Sequence, residues 1–162
     1  MNEVHATEVH AKVYATGGCQ CGAVRYRVRQ PLGSSGICHC RMCQRAAGNV
    51  FAPLVTARGV EWQGSPARWA SSDIAERGFC RDCGTPLFMA DIGSDEVELM
   101  IGTLDDPAAA PPGHHYGIES RVAWLKLADG LPGYETGGKP GESPKSITSH
   151  QFAAGSAAEE GR

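Results

Sequence analysis

A chain of 162 residues suits one domain with a proper core, since a chain of roughly 150 residues buries about 70 % of its unfolded surface. Fifteen Lys and Arg against 18 Asp and Glu leave a net charge of −3, too small to drive nucleic-acid binding; no apolar run nears the ~20 residues that span a bilayer. The opening Met1-Asn2-Glu3-Val4-His5 has neither a basic nor an apolar leader region, so no secretory signal is expected and a reduced, cytoplasmic protein is.

Residues 1–12 are polar and aperiodic and predict a flexible N-terminus. Gly17-Gly18 lead into Cys19-Gln20-Cys21-Gly22. The run 23–29 then alternates apolar and basic, predicting a half-buried strand with Val24, Tyr26 and Val28 inward and the arginines on a solvated face. Pro31 to Gly36 is loop chemistry and delivers the chain to Cys38-His39-Cys40-Arg41-Met42-Cys43. Arg41 to Ala47 predicts a short helix stopped by Gly48-Asn49, which suit the left-handed position after a helix. Val50 to Val55 reads as a buried strand in which Pro53 implies an edge or a bulge.

Between Trp62 and Trp69 the turn Gln63-Gly64-Ser65-Pro66 separates two short extended pieces, and both Trp69 and Trp124 are expected in the core. After Cys80-Arg81-Asp82-Cys83-Gly84 come strands at 87–90 and 97–101, joined by a hairpin loop at Gly93-Ser94-Asp95. Asp105-Asp106-Pro107 opens a turn, His114 and His115 lie in a loop, and Ser120 to Leu127 predicts a last strand. From Gly137 onward Gly, Ser, Pro, Ala and Glu dominate, which predicts a disordered tail. Many short strands with Gly/Pro turns, and no long amphipathic helix, give an all-β fold class.

The seven cysteines fall in three tight clusters and none is scattered, and an odd number of thiols argues for metal over disulfides. Cys80-x-x-Cys83-Gly84 has the spacing of a zinc knuckle, and Cys19-x-Cys21-Gly22 is the one other self-contained pair. Cys19, Cys21, Cys80 and Cys83 therefore form the expected structural zinc site. Cys38, Cys40 and Cys43 remain as a three-thiolate site with an open fourth position, where a thiol would be held ionised below its ordinary pKa of about 8.5. A histidine filling that position would make the site structural instead. The candidates are His39, awkwardly placed between two ligands, and the distant His114 and His115. His5, His10 and His150 fall in the expected tails and receive no role.

The segments 17–26, 38–44 and 79–87, with Gly102-Thr103-Leu104-Asp105-Asp106-Pro107 and 124–132, resemble the glutathione-dependent formaldehyde-activating enzyme family, which also contains centromere protein V. The resemblance covers residues 13–135 and leaves 136–162 as the tail. It implies an all-β fold of small antiparallel sheets (a β-tent, zinc-ribbon-like) stapled by a structural zinc. It also implies two zinc ions per chain, divided as above with Cys38, Cys40 and Cys43 catalytic, and carbon–sulfur chemistry on an adduct of glutathione or a similar thiol with a small aldehyde or other electrophile. The alternative is a non-catalytic zinc-stabilised binding module. That reading favours a basic extension, whereas residues 137–162 set Lys139, Lys145 and Arg162 against Glu142, Glu159 and Glu160. The enzyme reading is preferred.

Overall fold

A computed structural model of the chain describes residues 12–142 and 146–151. It is mostly β with little helix. Two sheets hold the strands. The smaller is antiparallel and joins β1 (Ala15–Gly18), β2 (Arg25–Val28) and β5 (Val60–Gln63) in that order. The larger is mixed. It is built from β3 (Ser35–Cys38), β4 (Ala52–Ala57), β6 (Ala67–Ala70), β7 (Ala75–Phe79), β8 (Pro86–Asp91), β9 (Val97–Met100), β10 (His115–Tyr116) and β11 (Gly133–Tyr134). Their order is β11-β10-β3-β4-β9-β8-β7-β6, with β10 parallel to both of its neighbours. The sole α-helix among the described residues, α1, is Arg41–Ala47, and Gly48 closes it at φ 60°, the conformation glycine adopts without strain.

Period-2 patterning sorts the side chains. In β2, Tyr26 and Val28 are buried with the preceding Val24, as the alternation predicts, while Arg25 and Arg29 pair with Asp105 and Glu61 on the outer side. Val55 and Ala57 of β4 and Val97 and Leu99 of β9 enter the same core. The indole of Trp62 bridges the two sheets, 5.3 Å from the Tyr26 ring and 5.2 Å from Phe88. Residues of the opposite parity, Leu54, Thr56 and Glu98, face away from that core and line a cavity. Pro53 precedes the first β4–β9 register pair, Leu54↔Met100, so its missing N–H costs that ladder nothing.

Three expectations change. Ser120 to Leu127 is not a strand: Ile118–Ser120 is a 3₁₀ turn, and the Leu125 N–H bonds back to the Val122 carbonyl at 3.1 Å. The chain there closes on itself rather than on a sheet edge, and Trp124 is 72 % exposed. Trp69 is not a core residue either, at 48 % exposed. Ser35 and Gly36, read as the end of the 31–36 loop, instead open β3, which is held by the β4 and β10 ladders rather than by strand propensity.

The C-terminal segment also differs from a tail defined by composition. The Gly137 N–H donates to the Tyr116 hydroxyl, Lys139 Nζ donates to Ser34 Oγ, and Thr148 and His150 bond the backbone around Ser71 and Asp73. The expected N-terminal flexibility, His5 and His10, and the ends of the expected tail lie outside the described residues. No helix among the described residues is long and apolar enough to cross a membrane.

Candidate metal centres and active site

The structure brings the seven cysteines into two groups, and all seven are free thiols. Cys19 and Cys21 follow β1, and Cys80 and Cys83 follow β7. The Gly84 N–H bonds the Cys80 carbonyl at 2.9 Å with φ at 75°, and the Gly22 N–H bonds Cys19 in the same way with φ at 81°. Each glycine turns its chain so that both thiols of the pair face one point. Cys19 and Cys80 are buried, 5 % and 1 % exposed. The sulfurs of Cys19 and Cys21 are 3.5 Å apart, and those of Cys21 and Cys80 3.7 Å. A tetrahedral zinc with ~2.3 Å bonds needs sulfur–sulfur edges of ~3.8 Å. The Val24 N–H points at Cys19 Sγ from 3.2 Å. The Thr85 hydroxyl, 3.1 Å from Cys83 Sγ, and then its backbone N–H hold that thiol at about 5. The donor set fits a closed metal site.

The second group forms where β3 runs into α1. Cys38 ends the strand, Cys40 is the helix N-cap and accepts the Cys43 N–H at 3.4 Å, and Cys43 sits in the first turn. The three sulfurs lie within 4.8 Å of one another. Their hydrogen bonds compete: those with Cys40 and then Cys43 push the Cys38 thiol up, while those with Cys38 and Cys40 hold Cys43 well below the ordinary range, with Arg77 adding to it. Arg77 donates an Nη2 hydrogen to Cys43 Sγ at 3.5 Å. Such a cluster of three sulfur donors fits a soft divalent cation. Gln44 braces the segment through hydrogen bonds from its amide to the carbonyls of His39 at 2.7 Å and Ser120 at 3.0 Å. Gly117, at φ 65°, leaves no room for a side chain, since a Cβ there would lie 2.8 Å from the Cys40 nitrogen.

Among the described residues, no histidine joins the three sulfurs. His39 is fully buried and turns its Nε2 toward His115 Nδ1, 2.9 Å away. His115 is 2 % exposed, and its Nε2 meets the Asp129 carboxylate at 3.0 Å. Burial, then the neighbouring His115, lowers the pKa of His39, so its ring stays neutral. His39 Nδ1 has no hydrogen-bond partner among the described residues. His114 is the imidazole that reaches the site's cavity, where its Nε2 lies 3.3 Å from Lys139 Nζ. His150 packs against the Ala70 carbonyl at 2.9 Å.

That cavity has a volume of about 350 Å³, and Cys38, Cys40 and Cys43 lie in its wall. Its polar lining includes Tyr116, His114, Lys139 and Arg77 with the carboxylates of Asp91, Glu98 and Glu142. Two of these, Arg77 and Glu98, carry no motif that sequence reading could have singled out. They reach the site because β7 and β9 share a sheet face with β3. Lys139 arrives on the segment that composition assigns to a tail.

The sequence matches the glutathione-dependent formaldehyde-activating enzyme family over residues 14–119. Among curated proteins it is 30 % identical over 76 residues to an uncharacterized lyase of Schizosaccharomyces pombe, covering 46 % of this chain and 56 % of that protein, so it spans little more than half of that relative. It is 28 % identical over 126 residues to a putative glutathione-dependent formaldehyde-activating enzyme of Halomonas elongata, covering 68 % of this chain and 79 % of that one. A crystal structure of a Rhodobacter sphaeroides protein superposes with a TM-score of 0.44 at 19 % identity, over 73 % of this chain and 98 % of the other. The family match takes in all seven cysteines, from Cys19 through Cys83, and on it the chain belongs to the glutathione-dependent formaldehyde-activating enzyme family.

Proposed function

We propose that the chain is a zinc-dependent lyase or synthase that makes and breaks a carbon–sulfur bond between glutathione, or a similar thiol, and a small aldehyde or other electrophile. The observation that carries this reading is the opening of the three-sulfur cluster onto a cavity of about 350 Å³, with no histidine donor among the described residues. Cys38, Cys40 and Cys43 would hold the catalytic metal, and Cys19, Cys21, Cys80 and Cys83 a second, structural one that ties the end of β1 to the end of β7. A zinc ion held by Cys38, Cys40 and Cys43 would keep an incoming thiol ionised at neutral pH. Three thiolates leave that centre anionic, which suits a fourth sulfur better than it suits water activation.

The chain's own groups do the rest. Gln44 and Gly117 fix the segment that presents the sulfurs. Arg77 offsets their charge from 3.5 Å. Lys139 and Glu98 face the same cavity, so an anionic and a cationic end of a zwitterionic thiol each meet an opposite charge. The reading requires a reducing compartment such as the cytoplasm, where the thiols stay unpaired, and neither a membrane nor a nucleic acid as partner.

The test is exchange NMR on the zinc-loaded protein with glutathione and a panel of ¹³C-labelled aldehydes. Faster exchange between free aldehyde and its thiohemiacetal, lost in Cys40→Ser, supports the assignment. Exchange at the buffer rate across the panel rejects it.

A further inference from the structure

A second cavity meets the first at Cys43. Its volume is about 680 Å³, and Met42, Trp69, Phe79, Pro86, Phe88 and Met100 give it largely apolar walls. Cys43 and Arg77 line both cavities and form the junction. A one-carbon aldehyde is little larger than a water molecule, whose share of liquid volume is ~30 Å³, and would leave almost all of this space unused. The fold meanwhile leaves large aromatic faces uncovered here: Trp69 is 48 % and Phe79 36 % exposed. Trp69 stands directly across the β6–β7 ladder from Arg77. An aromatic wall beside a reacting centre is the arrangement that selects an apolar substituent.

Charge at the junction is specific as well. Arg68, the neighbouring cation, is spoken for: it pairs with Glu76 and lies 5.0 Å over the Phe88 ring. Arg77 has no carboxylate partner among the described residues, and its recorded hydrogen bond is the one to Cys43 Sγ. A guanidinium carries five donors in a fixed fork, so one bond to sulfur leaves others for an oxygen beside that sulfur.

We propose that the larger cavity is the electrophile subsite, that its occupant is an aldehyde bearing an aryl or bulky alkyl group, and that Arg77 receives the carbonyl oxygen. The assignment rests on the thiol-lyase reading above. The thiol loses its S–H proton to solvent as it becomes thiolate. Its sulfur lone pair forms the S–C bond while the C=O π pair moves onto oxygen. Arg77 N–H groups stabilise that developing alkoxide until it takes a proton from solvent. The sum is thiol plus aldehyde giving a thiohemiacetal, with no change of oxidation state.

The experiment uses the zinc-loaded full chain and benzyl alcohol, an unreactive relative of benzaldehyde, followed by saturation-transfer NMR with glutathione binding measured in parallel. Saturable binding is expected, weakened about tenfold by Trp69→Ala, which removes one aromatic wall from an exposed strand position. Ala46→Trp, on the helix side of the cavity, should block it, and Trp124→Ala, exposed elsewhere, should leave it unchanged. Arg77→Met should slow benzaldehyde exchange about a hundredfold while glutathione still binds. Glutathione binding with no saturable benzyl alcohol binding, or with equal binding in Trp69→Ala and Ala46→Trp, overturns the subsite and spares the thiol reading. Benzyl alcohol binding with no response to glutathione overturns both. Wild-type exchange in Arg77→Met removes that residue's role.

Discussion

Replacing Cys80 with Ser should unfold the protein far more readily than the same change at Cys40. The contrast is set by loop length. Cys21 and Cys80 meet at 3.7 Å although they are 59 residues apart, so a metal there closes a long loop. On the chain-entropy argument a cross-link over ~60 residues stabilises by about 4 kcal/mol, whereas one over the ~6 residues from Cys38 to Cys43 gives about 2 kcal/mol. The metal's binding free energy, about 10–16 kcal/mol in small zinc modules, adds to the first figure to the extent that folding builds the site. Whole domains are stable by only about 5–15 kcal/mol. At about 2–4 °C per kcal/mol for a domain of this size, Cys80→Ser should melt at least about 8 °C below wild type, or not fold at all. Cys40→Ser should lose about half as much. Calorimetric melts of the two variants, each with its metal content measured, decide the matter. Equal melting temperatures would refute the division into a stapling site and a local one.

Three further outcomes follow from the same geometry. A mild chelator should strip the three-cysteine site first, because its metal is reached from a cavity; simultaneous loss of both ions in a time course of metal content would contradict this. Glu98 is lifted above the usual carboxylate range by burial, with Glu96 and Asp91 adding to it against the Thr56 hydroxyl and Lys139. Its protonated form therefore contributes stability below the ordinary glutamate pKa, and that contribution is lost as pH rises through the raised value. Glu98→Gln should melt higher than wild type at about pH 7.5 and converge with it near pH 4, and a lower melt at both would count against the assignment. His115→Ala should cost about 1–3 kcal/mol by leaving His39 and Asp129 without their shared partner, which thermal melts will read as a clear drop or, if the chain of bonds is idle, as none.

Much of the site was legible because metal ligands declare themselves by local spacing. Cys19-x-Cys21 and Cys80-x-x-Cys83 each need a single turn, and the helix from Arg41 needs only its glycine stop, so neither depends on distant chain. Strand β2 was legible for the same reason, its period-2 pattern being intact. The histidine chain was not: His39 and His115 meet because β10 pairs parallel with β3, and two-residue strands leave no periodicity to read. Asp129 lay in one of the segments that carry the family resemblance, yet no local pattern tied it to a histidine. Arg77 and Glu98 were equally hidden, since what makes them neighbours of the sulfurs is the parity of strands joined across the sheet. Trp124 misled because its flanking Val122 and Leu125 imitate a strand while the backbone turns.

The central claim is that the three-cysteine site takes an incoming thiol as its fourth ligand. Cobalt substituted for zinc reports that ligand directly, because its ligand-field bands differ between oxygen, nitrogen and sulfur donors. Titration with glutathione should shift the bands of one of two cobalt ions toward a four-sulfur spectrum and leave the other unchanged. Bands that stay fixed up to millimolar glutathione, in protein retaining both ions, would contradict the account, as would a four-sulfur or imidazole signature at both ions before any thiol is added.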